Sequence, residues 1–143
     1  MKRHPALTPL SSDHQHALAV ALQLRRAEAD SVGPAAAEFL EFWEPEGRLH
    51  FRVEEEILLP AFAVHGDPQH PLVVRALVDH VVIRRDAARA HHNPDPAQLR
   101  ELGERLAAHV RLEERELFPL IERTMPEPDL DELGDRLREA TRR

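Results

Sequence analysis

Apolar residues recur every three or four positions along four long stretches of the chain, the spacing of a buried helical stripe. In the first stretch Leu10, His14, Ala17, Leu18, Ala21 and Leu24 share a face. Ser11 or Ser12 is its natural N-cap, with Asp13 near the positive end of the helix dipole, and the pattern runs to about Asp30. Met1 to Leu10, with two prolines, reads as an extended arm. After Ser31-Val-Gly33-Pro34, a second pattern carries Phe39, Trp43, His50, Glu54, Ile57, Leu58 and Ala61. Pro45 and Gly47 predict a kink or short break in it, and Gly66-Asp67-Pro68 closes it.

The third pattern spans about His70 to His91, with Val74, Leu77, Val78, Val81 and Ala88 assigned to the buried side and His80 at the border. Asn93 to Pro96 is a turn in which Asp95 caps and Pro96 opens the fourth helix. That helix places Leu99, Leu102, Leu106, His109, Glu113, Leu117 and Leu120 on one stripe and stops at Met125-Pro126. A short fifth helix, about Asp129 to Thr141, has Leu130, Leu133 and Leu137 to dock. No strand alternation competes, and short connections make successive helices antiparallel neighbours. The prediction is an all-α, up-down-up-down four-helix bundle over about 11–125, with the N-terminal arm and the C-terminal helix, in a single domain of 143 residues.

Two polar residues interrupt the fourth stripe. His109 and Glu113 stand four residues apart, so they project from one helical face toward a common point. Burying both costs several kcal/mol unless something pairs them, and a metal ion would. The same words occur earlier. His50-Phe-Arg-Val-Glu54-Glu-Glu-Ile-Leu-Leu-Pro60 matches His109-Val-Arg-Leu-Glu113-Glu-Arg-Glu-Leu-Phe-Pro119 at six of eleven positions, 59 residues apart. Asp13-His14 precedes the first copy and Asp79-His80 the second, so the unit is Asp-His followed by His-x-x-x-Glu-Glu, used twice.

Composition narrows the chemistry. With no cysteine, thiolate zinc sites, disulfides and cysteine-bound iron–sulfur clusters are excluded, so nitrogen and oxygen must hold any metal. Twenty-six acidic against 19 basic residues leave no positive footprint for nucleic acid or anionic membranes. No run approaches a membrane span and the first ten residues lack a secretory apolar core, which points to the cytoplasm.

If His14, His50 with Glu54, His80, and His109 with Glu113 lie at one depth on four inward faces, four imidazoles and two carboxylates surround one small volume. That is too many donors for a single zinc ion. Carboxylates bridge two metals through their two oxygens, so a dinuclear site of borderline divalent ions such as iron is the economical reading. His4, His16, His65, His70, His91 and His92 read as surface residues, and Arg84-Arg85 as a solvated face.

On these residues the chain resembles the hemerythrin-like family over about Ser11 to Met125. The resemblance implies a non-haem centre of two iron ions, oxo- or hydroxo-bridged. His14 would be the first-helix ligand, His50 and Glu54 the second-helix pair, His80 the third-helix histidine and His109 with Glu113 the last pair, the two glutamates bridging. It also implies a function: binding dioxygen or a related small ligand, in oxygen or nitric oxide sensing or in iron or oxygen buffering. Oxygen-carrying members supply two third-helix histidines spaced by four, whereas here Ala76 and Arg84 flank His80 at that spacing. Water, Glu55 or Glu114 are candidates for the place of that nitrogen. The alternatives are a di-iron oxidase or peroxidase-like enzyme and a metal-free helical scaffold. Nitrogen-rich ligation, unlike the Glu-x-x-His pattern of ferritin-like enzymes, favours binding over catalysis.

Overall fold

The computed structural model describes residues 2–142. Helix α1 is Thr8–Arg25; α2 runs over 32–63; α3 is Pro71–His92; α4 runs over 96–124; α5 is Glu127–Ala140. A 3-10 turn, Pro5–Leu7, precedes α1. There is no strand among the described residues. Helices α1 and α3 each pack against both α2 and α4, closing the antiparallel bundle. Helix α5 lies against the 3-10 turn of the arm, buries Leu130, Leu133 and Leu137, and brings Gly134 against Ala6.

The arm is less extended than its prolines imply. Helix α1 starts at Thr8, before both expected caps, because Pro9 sits in its first turn, where an N–H has no helical acceptor. It ends at Arg25 rather than near Asp30, and Leu18 of its expected face is exposed.

Nor does α2 break at Pro45. The segment Trp43–Gly47 is a π turn joining Val32–Phe42 to Arg48–Val53. A proline ring in an α-helix collides with the carbonyl four residues back and offers no N–H; the wider turn relieves the collision and keeps the helix continuous. Two further π turns, Glu54–Leu58 and Glu113–Leu117, begin at the two repeated glutamates. Their carbonyls accept from Leu59 and Phe118, five residues on.

Helix α3 shows the largest departure. Val74, Leu77, Val78, Val81 and Ala88 are exposed, and Val73, Ala76, His80, Ile83, Ala87 and Ala90 are buried instead. The core face carries alanines, which let helices approach closely, while the bulkier valines and leucine lie outside.

Two apolar clusters fill the bundle. One joins the arm, α5 and the Phe118 end of α4 with Leu58, Phe62, Val73 and Ala76. The other holds Phe39, Phe42, Trp43, Phe51, Ile83, Leu102 and Leu106. Along α1 the switch from one to the other falls between Leu10 and Ala17, and along α3 between Ala76 and Ile83. His14 and His80 stand at those switches, so the polar residues form a layer between two apolar halves.

Where α1 and α4 cross, Gly103 allows the approach: a Cβ there would lie 2.7 Å from the Ala21 carbonyl oxygen and 2.9 Å from the Leu24 Cβ. Backbone cannot yield as a flexible side chain can. Gly103→Ala is therefore expected to destabilise the fold by about 1–3 kcal/mol through overpacking, despite alanine's better helix propensity. Urea unfolding would measure it, and a variant as stable as the parent would show that the crossing is loose.

Candidate metal centre

All six predicted residues converge. His14, His50, Glu54, His80, His109 and Glu113 are each at least 95% buried. Their nearest ligand atoms form two groups, His14, His50, Glu54 and Glu113 on one side and His80, His109, Glu54 and Glu113 on the other, with the atoms of each group within 4.8 Å of one another.

The two glutamates belong to both groups through different oxygens. Glu113 Oε1 is 2.9 Å from His14 Nε2 and 3.8 Å from His50 Nε2, whereas its Oε2 is 3.4 Å from His109 Nε2. Glu54 Oε2 is 3.1 Å from His50 Nε2, whereas its Oε1 is 3.0 Å from His80 Nε2. Each carboxylate thus straddles two histidine pairs, the arrangement that bridges two cations.

All four Nε2 atoms face this centre and all four Nδ1 atoms face outward to a carboxylate. Asp13 Oδ2 holds His50 Nδ1 at 3.1 Å and Asp79 Oδ2 holds His109 Nδ1 at 3.0 Å. Glu114 Oε2 holds His14 Nδ1 at 2.7 Å and Glu55 Oε2 holds His80 Nδ1 at 2.6 Å. Metal-binding histidines characteristically donate their second N–H to such a partner, which fixes the ring and the tautomer. Every member of the doubled sequence unit therefore has a place. The aspartates hold histidines within their own copy, and the second glutamates hold the Asp-His histidine of the other copy.

This corrects the expectation for Asp13 and gives the two candidate glutamates another role. Asp13 is buried inside α1 against His50 and does not serve the helix dipole, and Glu55 and Glu114 turn away from the centre to bind Nδ1 atoms. The signal was present in the invariance of Asp-His and Glu-Glu between the two copies. Among the other histidines, His16 is exposed and paired with Glu46 at 2.7 Å. His4 and His70 are half-buried instead of fully exposed, because each imidazole accepts an N–H at the start of a helical turn.

The electrostatics are those of buried imidazoles and carboxylates that stabilise one another's charge. Burial opposes a charge on His50, but Glu54 and the hydrogen bond to Asp13 outweigh it and raise its pKa well above the ordinary value. Burial opposes a charge on His109 too, yet Glu113 and Asp79 raise it to about 10. His14 is raised in the same way by Glu113 and Glu114. Glu113, despite burial, is held well below the carboxylate range by His109, His14 and His50. Three atoms at the centre, Glu54 Oε1, His80 Nε2 and His109 Nε2, are buried without a hydrogen bond; the 3.0 Å approach of the first two lacks the alignment of one. Buried polar atoms rarely go unsatisfied, and here they are the donors a cation needs.

On the Trp43 side a cavity abuts the centre, offering about 20 Å³ to the middle of a water-sized sphere. His14, His50 and His109 line its inner end, and Ala17, Phe42, Trp43, Phe51, Leu106 and Val110 make the rest mostly apolar. The space is large enough for a small molecule the size of water. Among the described residues, no helix is long and apolar enough to cross a membrane.

A family model described as the hemerythrin HHE cation binding domain matches residues 6–141. No curated protein and no solved structure matches the chain.

Proposed function

The chain belongs to the hemerythrin HHE cation-binding domain family, and from that premise we propose that it binds two iron ions and, through them, dioxygen or a related diatomic ligand. His14 and His50 would hold one ion and His80 and His109 the other, with Glu54 and Glu113 shared. The observation that carries this reading is the straddling of the two carboxylates, each with its two oxygens toward different histidine pairs. Ferrous iron would supply the electrons and open coordination positions that a diatomic ligand requires.

The protein's own groups do the rest. Neutral imidazole and carboxylate suit iron, and the absence of cysteine leaves no softer competitor. Asp13, Asp79, Glu55 and Glu114 keep the Nδ1 protons, so that each Nε2 lone pair faces inward. The mostly apolar lining of the cavity, Phe42, Trp43 and Phe51 among it, makes the space beside the centre unfavourable for bulk water. With two histidines on each side, the set is balanced, and Glu55 and Glu114, which hold Nδ1 atoms, belong to neither donor group.

Anaerobic loading with ferrous iron followed by desalting and elemental analysis is expected to return about two iron atoms per chain. Nitric oxide added to the loaded protein should change its visible spectrum. One tightly held zinc, or no metal after loading, would refute the dinuclear reading.

A further inference from the structure

Two arginines stand behind the carboxylates that hold His80 and His14. Arg84 Nη1 donates to Glu55 Oε2 at 2.7 Å and Nη2 to Oε1 at 3.2 Å, a two-pronged clamp on the group that fixes His80 Nδ1. Its guanidinium lies 5.6 Å over the Phe51 ring, which stacks on His80 with centroids 3.8 Å apart. Arg3, from the arm, repeats the arrangement on the other half. It reaches Glu114 Oε1 at 3.5 Å and lies 5.4 Å over Phe118, which stacks on His14 at 5.4 Å.

The sequence repeat does not force this likeness. At the 59-residue offset Phe51 corresponds to Val110 and Phe118 to Leu59, and the two arginines come from a helix and from the arm. Around carboxylates and histidines that the repeat does make equivalent, non-equivalent positions still supply an arginine and a stacked phenylalanine in each half. A solvated surface arginine has no need of such a setting.

We propose that Arg84 and Arg3 are positioning residues, each fixing one half of the metal centre through its carboxylate. The inference rests on the dinuclear reading above. Arg84 carries more of its half, because its fork holds both oxygens of Glu55, whereas Arg3 makes one long contact to the Glu114 carboxylate, donates the same Nη2 to the Glu114 backbone carbonyl at 2.5 Å and is shared with Glu122 at 2.6 Å. Glu114 keeps a second support in Ser11, whose hydroxyl donates to Oε2 at 2.8 Å. The arm, itself covered by α5, thus bears on the His14 half while α3 bears on the His80 half.

The test titrates the metal-free, full-length chain with cobalt(II), reading visible absorption and stoichiometry after desalting. The parent is expected to take up two ions. Arg84→Ala should weaken one of the two by about tenfold and leave the other unchanged, at the low end of the effect of removing a partner in direct contact with a ligand. Arg84→Lys, which returns the charge but not the fork, should fall between them. Arg3→Ala should have a smaller effect, growing when Ser11→Ala is added. In a His14→Ala background, which leaves only the His80 half, Arg84→Ala should weaken the remaining ion; in a His109→Ala background it should not.

A parent that binds two ions beside an Arg84→Ala chain with both affinities unchanged would overturn the inference and leave the dinuclear reading standing. Equal weakening of both ions would also overturn it, by revealing a general structural role. A parent that binds none removes the reading on which it rests. Should Arg84→Ala not fold, Arg84→Lys decides alone: an unchanged pair of affinities overturns the inference.

Discussion

Glu113→Ala is expected to abolish binding of both metal ions, not one. The residue contributes Oε1 to the His14 and His50 side and Oε2 to the His109 side, so a single truncation removes an oxygen from each half. A histidine variant such as His80→Ala strips a donor from one half alone and should leave an ion behind. The fold should suffer as well. Glu113 is 1% exposed and faces three imidazoles, so its loss strands buried charge, a change that costs roughly 3–5 kcal/mol in other proteins. Elemental analysis beside urea unfolding checks both parts. His16→Ala is the control, since that side chain is exposed, pairs with Glu46 and belongs to neither donor group. A Glu113→Ala chain that still carries two ions would show that the carboxylate is not shared.

The metal-free and metal-loaded chains should diverge in stability as pH rises. Folding raises the pKa of His14, His50 and His109 above the ordinary 6.5, the last to about 10. A group with a raised folded pKa stabilises fully below its unfolded pKa and loses that contribution as pH climbs to the folded one. The metal-free chain should therefore weaken from about pH 6.5 toward 10, at up to about 1.4 kcal/mol per pH unit for each such proton. Glu113 acts on the acid side: its depressed pKa stabilises above 4.5, and that contribution disappears as pH falls through its folded value.

Ligation needs neutral imidazole, so loading at pH 7 should expel protons and tighten as pH rises. The gap in Tm between loaded and metal-free chains should widen between pH 6.5 and 9. Melting curves across that range, with proton release followed by an indicator dye, test it. A metal-free Tm that holds level or rises over the same interval would mean the imidazoles are neutral before metal arrives.

The stripe on α4 and the doubled His-x-x-x-Glu motif were readable because one helical face both enters the core and carries the donors. Spacing alone puts Leu106, His109, Glu113 and Leu117 in line, and all four are buried. Helix α3 offered no such certainty. Its two candidate faces, Val74-Leu77-Val78-Val81 and Val73-Ala76-His80-Ile83, lie side by side on the helix, and hydrophobicity favours the wrong one. The choice fell to His80, which must reach Glu54 and Glu55, and to the alanines that allow close packing.

Helical periodicity, proline and glycine punctuation and the internal repeat determined the class of fold, the order of helices and the six converging residues. These are properties of neighbours in the chain, set by residue spacing. Tertiary structure decided the roles that depend on distant partners. It turned Asp13 and Asp79 into holders of histidines 37 and 30 residues away, and Glu55 and Glu114 outward to imidazoles 25 and 100 residues away. It set Arg84 and Arg3 behind those glutamates and absorbed Pro45 in a π turn. No local spacing encodes which side of a buried ring another helix will approach, because that is fixed only when the helices pack.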